Sequence, residues 1–418
     1  MPRCLVALVL AFSSSVPSAH GEEQDAATLF ARFNDRIVQV RVIDKEADKK
    51  SALGTGFLVA QDGLIATNFH VISGLVNKPG KYRLEYLDQE GQTGALELLD
   101  VDVINDLAVL RADHLDLDPL GLPDTIPIQG ETIYSLGNPY DIGFTVIPGT
   151  YNGLDEGSYY KQIHFSGSIN AGMSGGPVLD ADGGVVGVNV ASAGNQVSFL
   201  VPADALRSLI GEWQGREAPI TDFRERIQEQ LVANQKGLIA GVLDQEWPTQ
   251  PLGEATAVGE MQPFVKCWGD SSDEDELYKY VSSSCRSSRQ IFVGRRFSTG
   301  VIAYQFFWLE AHELSRPRFL RYYEKTFESF VPDNVAGEDD VGNYACEEFF
   351  VSDDEEHADK AVMCVRRYKK YSPLYDALYL RGSIDDSENA FISHFTLSGV
   401  ERDSVVGFLD RFQRVVGR

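Results

Sequence analysis

The chain has 418 residues, of which 43% are hydrophobic and 24% are charged, and this composition is ordinary for a globular protein. Its length predicts about two or three domains. The formal net charge is −25, and both halves of the chain are acidic, which argues against nucleic acid as a partner and disfavours anionic membrane surfaces.

Residues 1–21 have the pattern of a secretory signal peptide. Arg3 supplies a short basic end, residues 4–12 form an apolar core too short to span a bilayer, and small residues at 18–21 offer a cleavage site. We therefore expect an exported protein, periplasmic or secreted, with no stable membrane insertion.

A serine lies in a glycine turn at residues 172–177, Gly-Met-Ser-Gly-Gly-Pro. Glycines on both sides let the backbone turn sharply and bring N–H groups to one point beside the Ser174 hydroxyl. Acyl transfer needs this combination of an exposed nucleophile and donors for an oxyanion. A plain glycine hairpin is the alternative for this string alone.

Two upstream segments supply a base and an orienting acid. Residues 54–71 read as a β-hairpin that ends in Thr-Asn-Phe-His-Val, which contains His70. Residues 101–110 place Asp106 at the mouth of an apolar strand. The order His70, Asp106, Ser174 is the one found on the two-barrel chymotrypsin architecture.

Residues from about 30 to 210 resemble the HtrA (DegP-like) branch of the trypsin-like serine proteases. The matching pieces are Gly54-Thr55-Gly56-Phe57, Thr67-Asn68-Phe69-His70-Val71, Asp106-Leu107-Ala108-Val109-Leu110, Gly137-Asn138-Pro139, Ile169-Asn170-Ala171-Gly172-Met173-Ser174-Gly175-Gly176-Pro177 and Phe199-Leu200-Val201-Pro202. The resemblance implies an all-β double-barrel (chymotrypsin/trypsin-like) protease domain at residues 22–215, acting on protein or peptide substrates, with a role in protein quality control.

The resemblance also implies roles for the site residues. Ser174 is the expected nucleophile, His70 the base and Asp106 its orienter, and the backbone N–H groups of Gly172 and Ser174 are the expected oxyanion hole. Met173 departs from the family, which usually has Asn at this position. The expected walls of the S1 pocket carry no acidic group, so we expect cleavage after small aliphatic residues; they are Ser168, Ile169, Val197, Ser198 and Phe199. No cofactor or metal is implied.

An N-terminal stripe of Leu29, Phe30 and Phe33 has two interpretations. HtrA-like proteins often build a trimer contact from such a segment, so a homo-oligomer is one expectation. Simple packing against the first barrel is the interpretation we favour.

The chain beyond the protease domain shows no PDZ pattern. Residues 216–260 suggest a helix and a linker, and residues 261–418 a disulfide-containing α+β C-terminal domain. Its four cysteines allow three pairings, of which Cys267–Cys285 and Cys346–Cys364 close the shortest loops; zinc is less favoured because no Cys-x-x-Cys pair occurs. The 79-residue spacing of the cysteines, an acidic cluster in each loop (residues 273–276 and 353–356) and a terminal amphipathic helix suggest two repeated units, about 261–335 and 340–418.

Three functional interpretations follow. The first is an exported serine endopeptidase. The second is a protease-fold binding scaffold, or a latent protease, whose C-terminal domain captures a partner. The third is a processing protease whose C-terminal domain recruits one substrate.

Overall fold

The computed structural model describes residues 21–417 apart from residues 114, 116, 195, 274–276, 352–358 and 385–387. The expected signal peptide lies outside this part of the chain except for Gly21, and most residues of the two acidic clusters lie outside it too. Within the described residues, no helix is both long and apolar enough to cross a membrane.

The first barrel follows an N-terminal helix. Leu29 and Phe33 of that helix are buried in a cluster that includes residues of both barrels, so this stripe packs within the chain. Strand formation follows from alternation, since Val38, Val40 and Val42 of the first strand all face the barrel core. The elements are α1 (Gly21–Phe33), β1 (Ile37–Asp44), β2 (Lys49–Ala60), β3 (Leu64–Thr67), α2 (Phe69–Asn77), β4 (Tyr82–Leu87), β5 (Thr93–Asp102) and β6 (Leu107–Ala112). The closed strand order is β1-β2-β3-β6-β5-β4.

A second barrel of six strands follows. They are β7 (Thr132–Gly137), β8 (Thr145–Leu154), β9 (Ile163–Phe165), β10 (Pro177–Leu179), β11 (Val185–Gly194) and β12 (Val197–Pro202), closed in the order β10-β11-β12-β9-β8-β7. The two closed barrels are the double-barrel architecture expected from the sequence. The glycine turn that carries Ser174 leads directly into β10.

Two helices connect the barrels to the rest of the chain: α3 (Ala203–Gln214) and α4 (Phe223–Leu243). Helix α4 buries Ile227 and Leu231 in the core of the first barrel and Leu238 and Val242 in the core of the C-terminal region. Asp100 of β5 is fully buried, and the guanidinium groups of two arginines at and before the start of α4 bind its carboxylate at 3.1 and 3.2 Å. This helix therefore fixes the C-terminal region against the first barrel.

The C-terminal region is built on a seven-stranded antiparallel sheet in the order β15-β16-β19-β23-β22-β21-β20. Its elements are β13 (Thr249–Leu252), β14 (Ala255–Val258), β15 (Val265–Ser271), β16 (Lys279–Ser287), β17 (Ile291–Gly294), β18 (Phe297–Thr299), β19 (Ile302–Glu310), α5 (Arg316–Glu328), β20 (Ala345–Val351), β21 (Asp359–Arg367), β22 (Tyr375–Ser383), β23 (Asn389–Val400) and α6 (Arg402–Val415). The β13–β14 hairpin corrects the expected linker, because its apolar side chains are buried in the C-terminal core.

Disulfides join Cys267 to Cys285 and Cys346 to Cys364, and each bridges two directly paired residues on neighbouring strands. β23 is the central strand of the sheet, with three strands on each side. Cys285 and α6 belong to the apolar cluster on one face of the sheet, whereas Cys364 and α5 belong to the cluster on the other. The two disulfides therefore lie on opposite faces of the sheet, as do the two helices, and the duplication stays a prediction. Residues 291–294 form β17, which pairs with β18 in a separate two-stranded sheet.

Candidate active site

The β3–β6 pairing brings His70 and Asp106 together. Thr67 at the end of β3 pairs with Ala108 of β6, so the residue after β3 and the residue before β6 meet at one barrel end. The chain then turns into α2, whose second residue is His70. Asp106 adopts φ 56°, and its main-chain carbonyl accepts hydrogen bonds from the Phe69 N–H at 3.1 Å and the Asn68 side chain at 2.8 Å.

The Asp106 carboxylate binds His70 twice. One oxygen accepts the His70 main-chain N–H at 2.7 Å, and the other lies 2.5 Å from Nδ1 of the imidazole. Burial alone would lower the pKa of His70, but the charge of Asp106 and its hydrogen bond outweigh burial and raise that pKa above 6.5. Because the carboxylate holds a proton on Nδ1, Nε2 is the nitrogen left to act as a base.

The glycines around Ser174 are required by the close approach of the two barrels. Gly175 has φ 84°, and a Cβ atom there would lie 2.3 Å from the Thr55 carbonyl oxygen and 2.9 Å from the Asn68 nitrogen. A Cβ atom at Gly176 would lie 2.1 Å from the carbonyl oxygen of Leu136. The turn therefore packs against the strand end that leads to His70, and no larger residue fits at these positions.

The peptide between Ala171 and Gly172 is held by its carbonyl group. This carbonyl accepts the Tyr140 N–H at 2.7 Å. All peptide bonds of the described chain are trans, so the Gly172 N–H points away from that hydrogen bond. It donates to no residue in the described part of the chain.

The peptide between Met173 and Ser174 is held in the same way. The Met173 carbonyl accepts hydrogen bonds from the Gly176 N–H at 3.0 Å and from the Asn189 side chain at 3.3 Å. The Met173 side chain is fully buried in the core of the second barrel, which accounts for an apolar residue at this position. The Ser174 N–H, like that of Gly172, finds no acceptor among the described residues and is free to bind an oxyanion.

Thr55 connects the first barrel to this turn. Its buried hydroxyl donates to the Gly172 carbonyl at 2.7 Å and accepts the Asn138 N–H at 3.1 Å, and its N–H donates to the Ser174 carbonyl at 2.8 Å. A half-buried imidazole, its carboxylate partner, a serine in a fixed turn and two free N–H groups are the kinds of group used in acyl transfer.

Comparison with known proteins identifies this region. Residues 54–188 match the family model described as the trypsin-like peptidase domain. This part of the chain is a trypsin-like peptidase domain. It is similar to Serine protease HTRA1 of Xenopus laevis, with 31% identity over 179 residues, covering 40% of this chain and 38% of that protein. It is also similar to human Serine protease HTRA3, with 30% identity over 186 residues, covering 41% and 40%.

The chain therefore spans about two fifths of the length of these curated relatives. Among solved structures, the serine endoprotease from Yersinia pestis aligns with a TM-score of 0.41 and 25% identity, covering 48% of this chain and 68% of that chain. The double-barrel assignment rests on the two closed barrels themselves.

The Ser174 hydroxyl of the peptidase domain donates to the Val190 carbonyl at 3.5 Å. Within the described residues, no hydrogen bond joins Ser174 to His70. Hydrogen bonds between nucleophile and base are often long in unliganded enzymes and shorten when the substrate binds.

The expected S1 residues lie in different environments. Ser198 is fully buried, donates to the Gly167 carbonyl at 2.7 Å and accepts the Ile169 N–H at 3.3 Å, so it ties β12 to the segment before the glycine turn. Ile169 is buried in the second-barrel core, whereas Ser168 and Val197 are exposed. Phe199 is half-buried, and its ring carries the guanidinium of an arginine from the C-terminal region.

Sequence reasoning missed Thr55 and Asn189 as positioning residues of the peptidase domain. Both are polar residues in strands whose neighbours are apolar, and both are fully buried. A polar side chain within such a run was the available signal, because a buried polar group needs a hydrogen-bond partner.

Proposed function

We propose that this chain is a serine endopeptidase that uses His70, Asp106 and Ser174 as its catalytic triad. The observation that carries the proposal is the pair of hydrogen bonds that His70 donates to the Asp106 carboxylate, in a domain whose serine turn keeps two N–H groups free. The similarity to proteins named serine proteases supports it.

In the proposed reaction, Ser174 attacks the scissile carbonyl and His70 Nε2 takes its proton. Asp106 keeps the imidazole in the useful tautomer and stabilises the imidazolium that forms. The N–H groups of Gly172 and Ser174 bind the oxyanion, and loss of one such donor typically costs about 10²–10³ in rate. His70 then returns the proton to the leaving amine, and water hydrolyses the acyl-enzyme by the same steps.

We further propose cleavage after small aliphatic residues. Ser198 and Ile169 are buried and joined by a hydrogen bond, which leaves little depth between β12 and the segment before the glycine turn. Neither side chain carries a charge that could pair with a substrate lysine or arginine.

The bond from Ser174 to the Val190 carbonyl favours a second candidate, a protease that rests in a latent arrangement or serves as a binding scaffold. The latent protease and the binding scaffold differ in one property. A latent protease gains a bond between Ser174 and His70 when substrate binds, whereas a scaffold does not.

Export, a role in protein quality control and a homo-oligomeric state are further proposals. The disulfides Cys267–Cys285 and Cys346–Cys364 support export, because disulfides persist in oxidising compartments. The other two proposals are supported only by the similarity to HtrA proteases.

The deciding experiment compares β-casein cleavage by the mature chain and by the Ser174→Ala variant, with cut sites mapped by mass spectrometry. We expect cleavage by the unmodified chain alone, after Val, Ala or Ile. A fluorophosphonate probe should label the same chain at Ser174. Failure of both reactions would refute the endopeptidase proposal, and labelling without cleavage of casein would point to a narrow or latent specificity.

A further inference from the structure

A short segment of the C-terminal region lies across both barrels next to the proposed triad. Ser288 donates from its hydroxyl to the Gly157 carbonyl of the second barrel at 2.9 Å, and the Val293 carbonyl accepts the Asn77 side chain of α2 at 3.4 Å. Residues 289–292 therefore run from the second barrel to the helix that carries His70. We call these four residues the cleft segment.

Phe292 brings the cleft segment to the proposed base. Ile291 and Val293 are buried in the core cluster of the first barrel, and Phe292 between them packs against the edge of the same cluster. Its half-buried ring stands edge-to-face to the His70 imidazole, with centroids 6.0 Å apart, and at 6.5 Å from the Phe69 ring. The His70 side chain keeps 29% of its exposure, so Phe292 borders the imidazole without covering it.

Arg289 lies at the other end of the cleft segment. Its guanidinium carbon is 3.8 Å from the centroid of the Phe199 ring, and within the described residues it makes no hydrogen bond or ion pair. Burial lowers the pKa of this guanidinium, against the opposing effect of Asp155, but arginine stays charged in proteins. Among the described residues, this partly desolvated cation is thus held by an aromatic ring, with the charge of Asp155 acting at longer range.

Phe199 connects this cation to the strand that contacts the nucleophile. Phe199 of β12 pairs with residue 191 of β11, and the neighbouring Val190 carbonyl accepts the hydrogen bond of the Ser174 hydroxyl. Arg289 and Phe292 are three residues apart, and three extended residues span at most about 10 Å, so the cation and the ring both lie close to the proposed triad.

We propose that the cleft segment forms one wall of the substrate cleft and sets its specificity. Phe292 packs against an apolar substrate side chain held beside His70, and Arg289 pairs with the carboxylate of an acidic substrate side chain within a few residues of the scissile bond. This inference rests on the proposed endopeptidase activity. It assigns to a region outside the peptidase domain a preference for polypeptides with an apolar and an acidic side chain near the scissile bond.

The test measures kcat and KM on a fluorogenic peptide library that varies each position around a fixed Val at the cleaved bond. The variants are Phe292→Ala, Phe292→Leu and Arg289→Gln. Phe350→Ala and Arg295→Gln are matched controls, because both residues are exposed in the same region and neither belongs to the cleft segment.

We expect Phe292→Ala to lower kcat/KM about tenfold or more for peptides with an apolar residue at one position, mainly through KM, with partial rescue by Leu. Arg289→Gln should lower kcat/KM about tenfold for peptides with Asp or Glu at one position and leave their Gln and Asn counterparts unchanged. The discrimination in the unmodified chain should weaken as salt rises. Both controls should match the unmodified chain.

The outcomes separate this inference from the function on which it rests. An active chain whose library profile is unchanged in the Phe292 and Arg289 variants refutes the inference alone. An equal loss for all peptides also refutes it, because it would indicate a structural effect. An unmodified chain that neither cleaves a peptide nor reacts with fluorophosphonate refutes the endopeptidase proposal, and the inference with it.

Discussion

The Thr55→Val variant tests how the oxyanion hole is held. Valine has nearly the same shape as threonine but cannot replace the buried hydroxyl that binds the Gly172 carbonyl at 2.7 Å and the Asn138 N–H at 3.1 Å. Each main-chain group left unpaired costs about 1–3 kcal/mol, so the two together cost about 2–6 kcal/mol. Because Gly172 is also a proposed oxyanion donor, the freed turn should lose part of its fixed geometry.

We expect Thr55→Val to lower kcat by about 10- to 10³-fold with little change in KM, since the lost interaction acts mainly in the transition state. Thr55→Ser, which keeps the hydroxyl, should retain most activity. Steady-state kinetics on the Val-containing peptide measures this, and urea denaturation followed by circular dichroism measures the stability cost. If Thr55→Val loses stability but keeps kcat within about threefold of the unmodified chain, the hydroxyl does not position the oxyanion hole.

Three further predictions concern ionisable side chains that are buried or half-buried. Asp106→Asn should lower kcat/KM by about 10⁴-fold. It should also move the acid limb of the pH profile to lower pH, because the carboxylate raises the pKa of His70 against the effect of burial. Rates measured from pH 5 to 9 test this, and an acid limb that does not move would contradict it. Asp100→Asn should lower the free energy of unfolding by about 1–3 kcal/mol, because it removes the buried carboxylate that binds two partly exposed arginines, one of which keeps Glu212 as a second partner; a urea midpoint equal to that of the unmodified chain would contradict this. Burial lowers the pKa of His394 to about 4, so between pH 6.5 and pH 4 the unfolded chain binds a proton that the folded chain does not. The free energy of unfolding should therefore fall by about 1.4 kcal/mol for each pH unit below 6.5. His394→Gln should flatten this slope in urea titrations at several pH values, and an unchanged slope would refute the prediction.

Helix α4 holds the C-terminal region, which carries the cleft segment, against the first barrel. Its first half is buried against the first barrel through Ile227 and Leu231, and its second half against the C-terminal sheet through Leu238 and Val242. These four side chains of α4 follow the spacing of one helix face, so the two halves of a single stripe pack against two different cores. The sequence predicted a helix and a linker in residues 216–260, from a helix candidate followed by a segment of linker composition; α4 is a helix in this range, and β13 and β14 lie in the expected linker.

The amino-acid sequence by itself determined the local chemistry of the peptidase domain. The strands follow from apolar alternation, as in β1, and the serine turn needs glycine at 175 and 176 because a Cβ atom would meet main-chain oxygens. Local patterns of this kind predict elements and candidate residues. The pairing of each cysteine with a partner 18 residues away is local in the same sense.

Tertiary structure alone decided what surrounds those residues. Thr55 meets Gly172 across 117 residues of chain, and Phe292 meets His70 across a still longer separation. Contacts between remote segments depend on barrel closure, on the docking of α4 and on the register of the C-terminal sheet. Sequence spacing does not encode the distance between such segments, because their approach is set by the packing of buried side chains from every element between them.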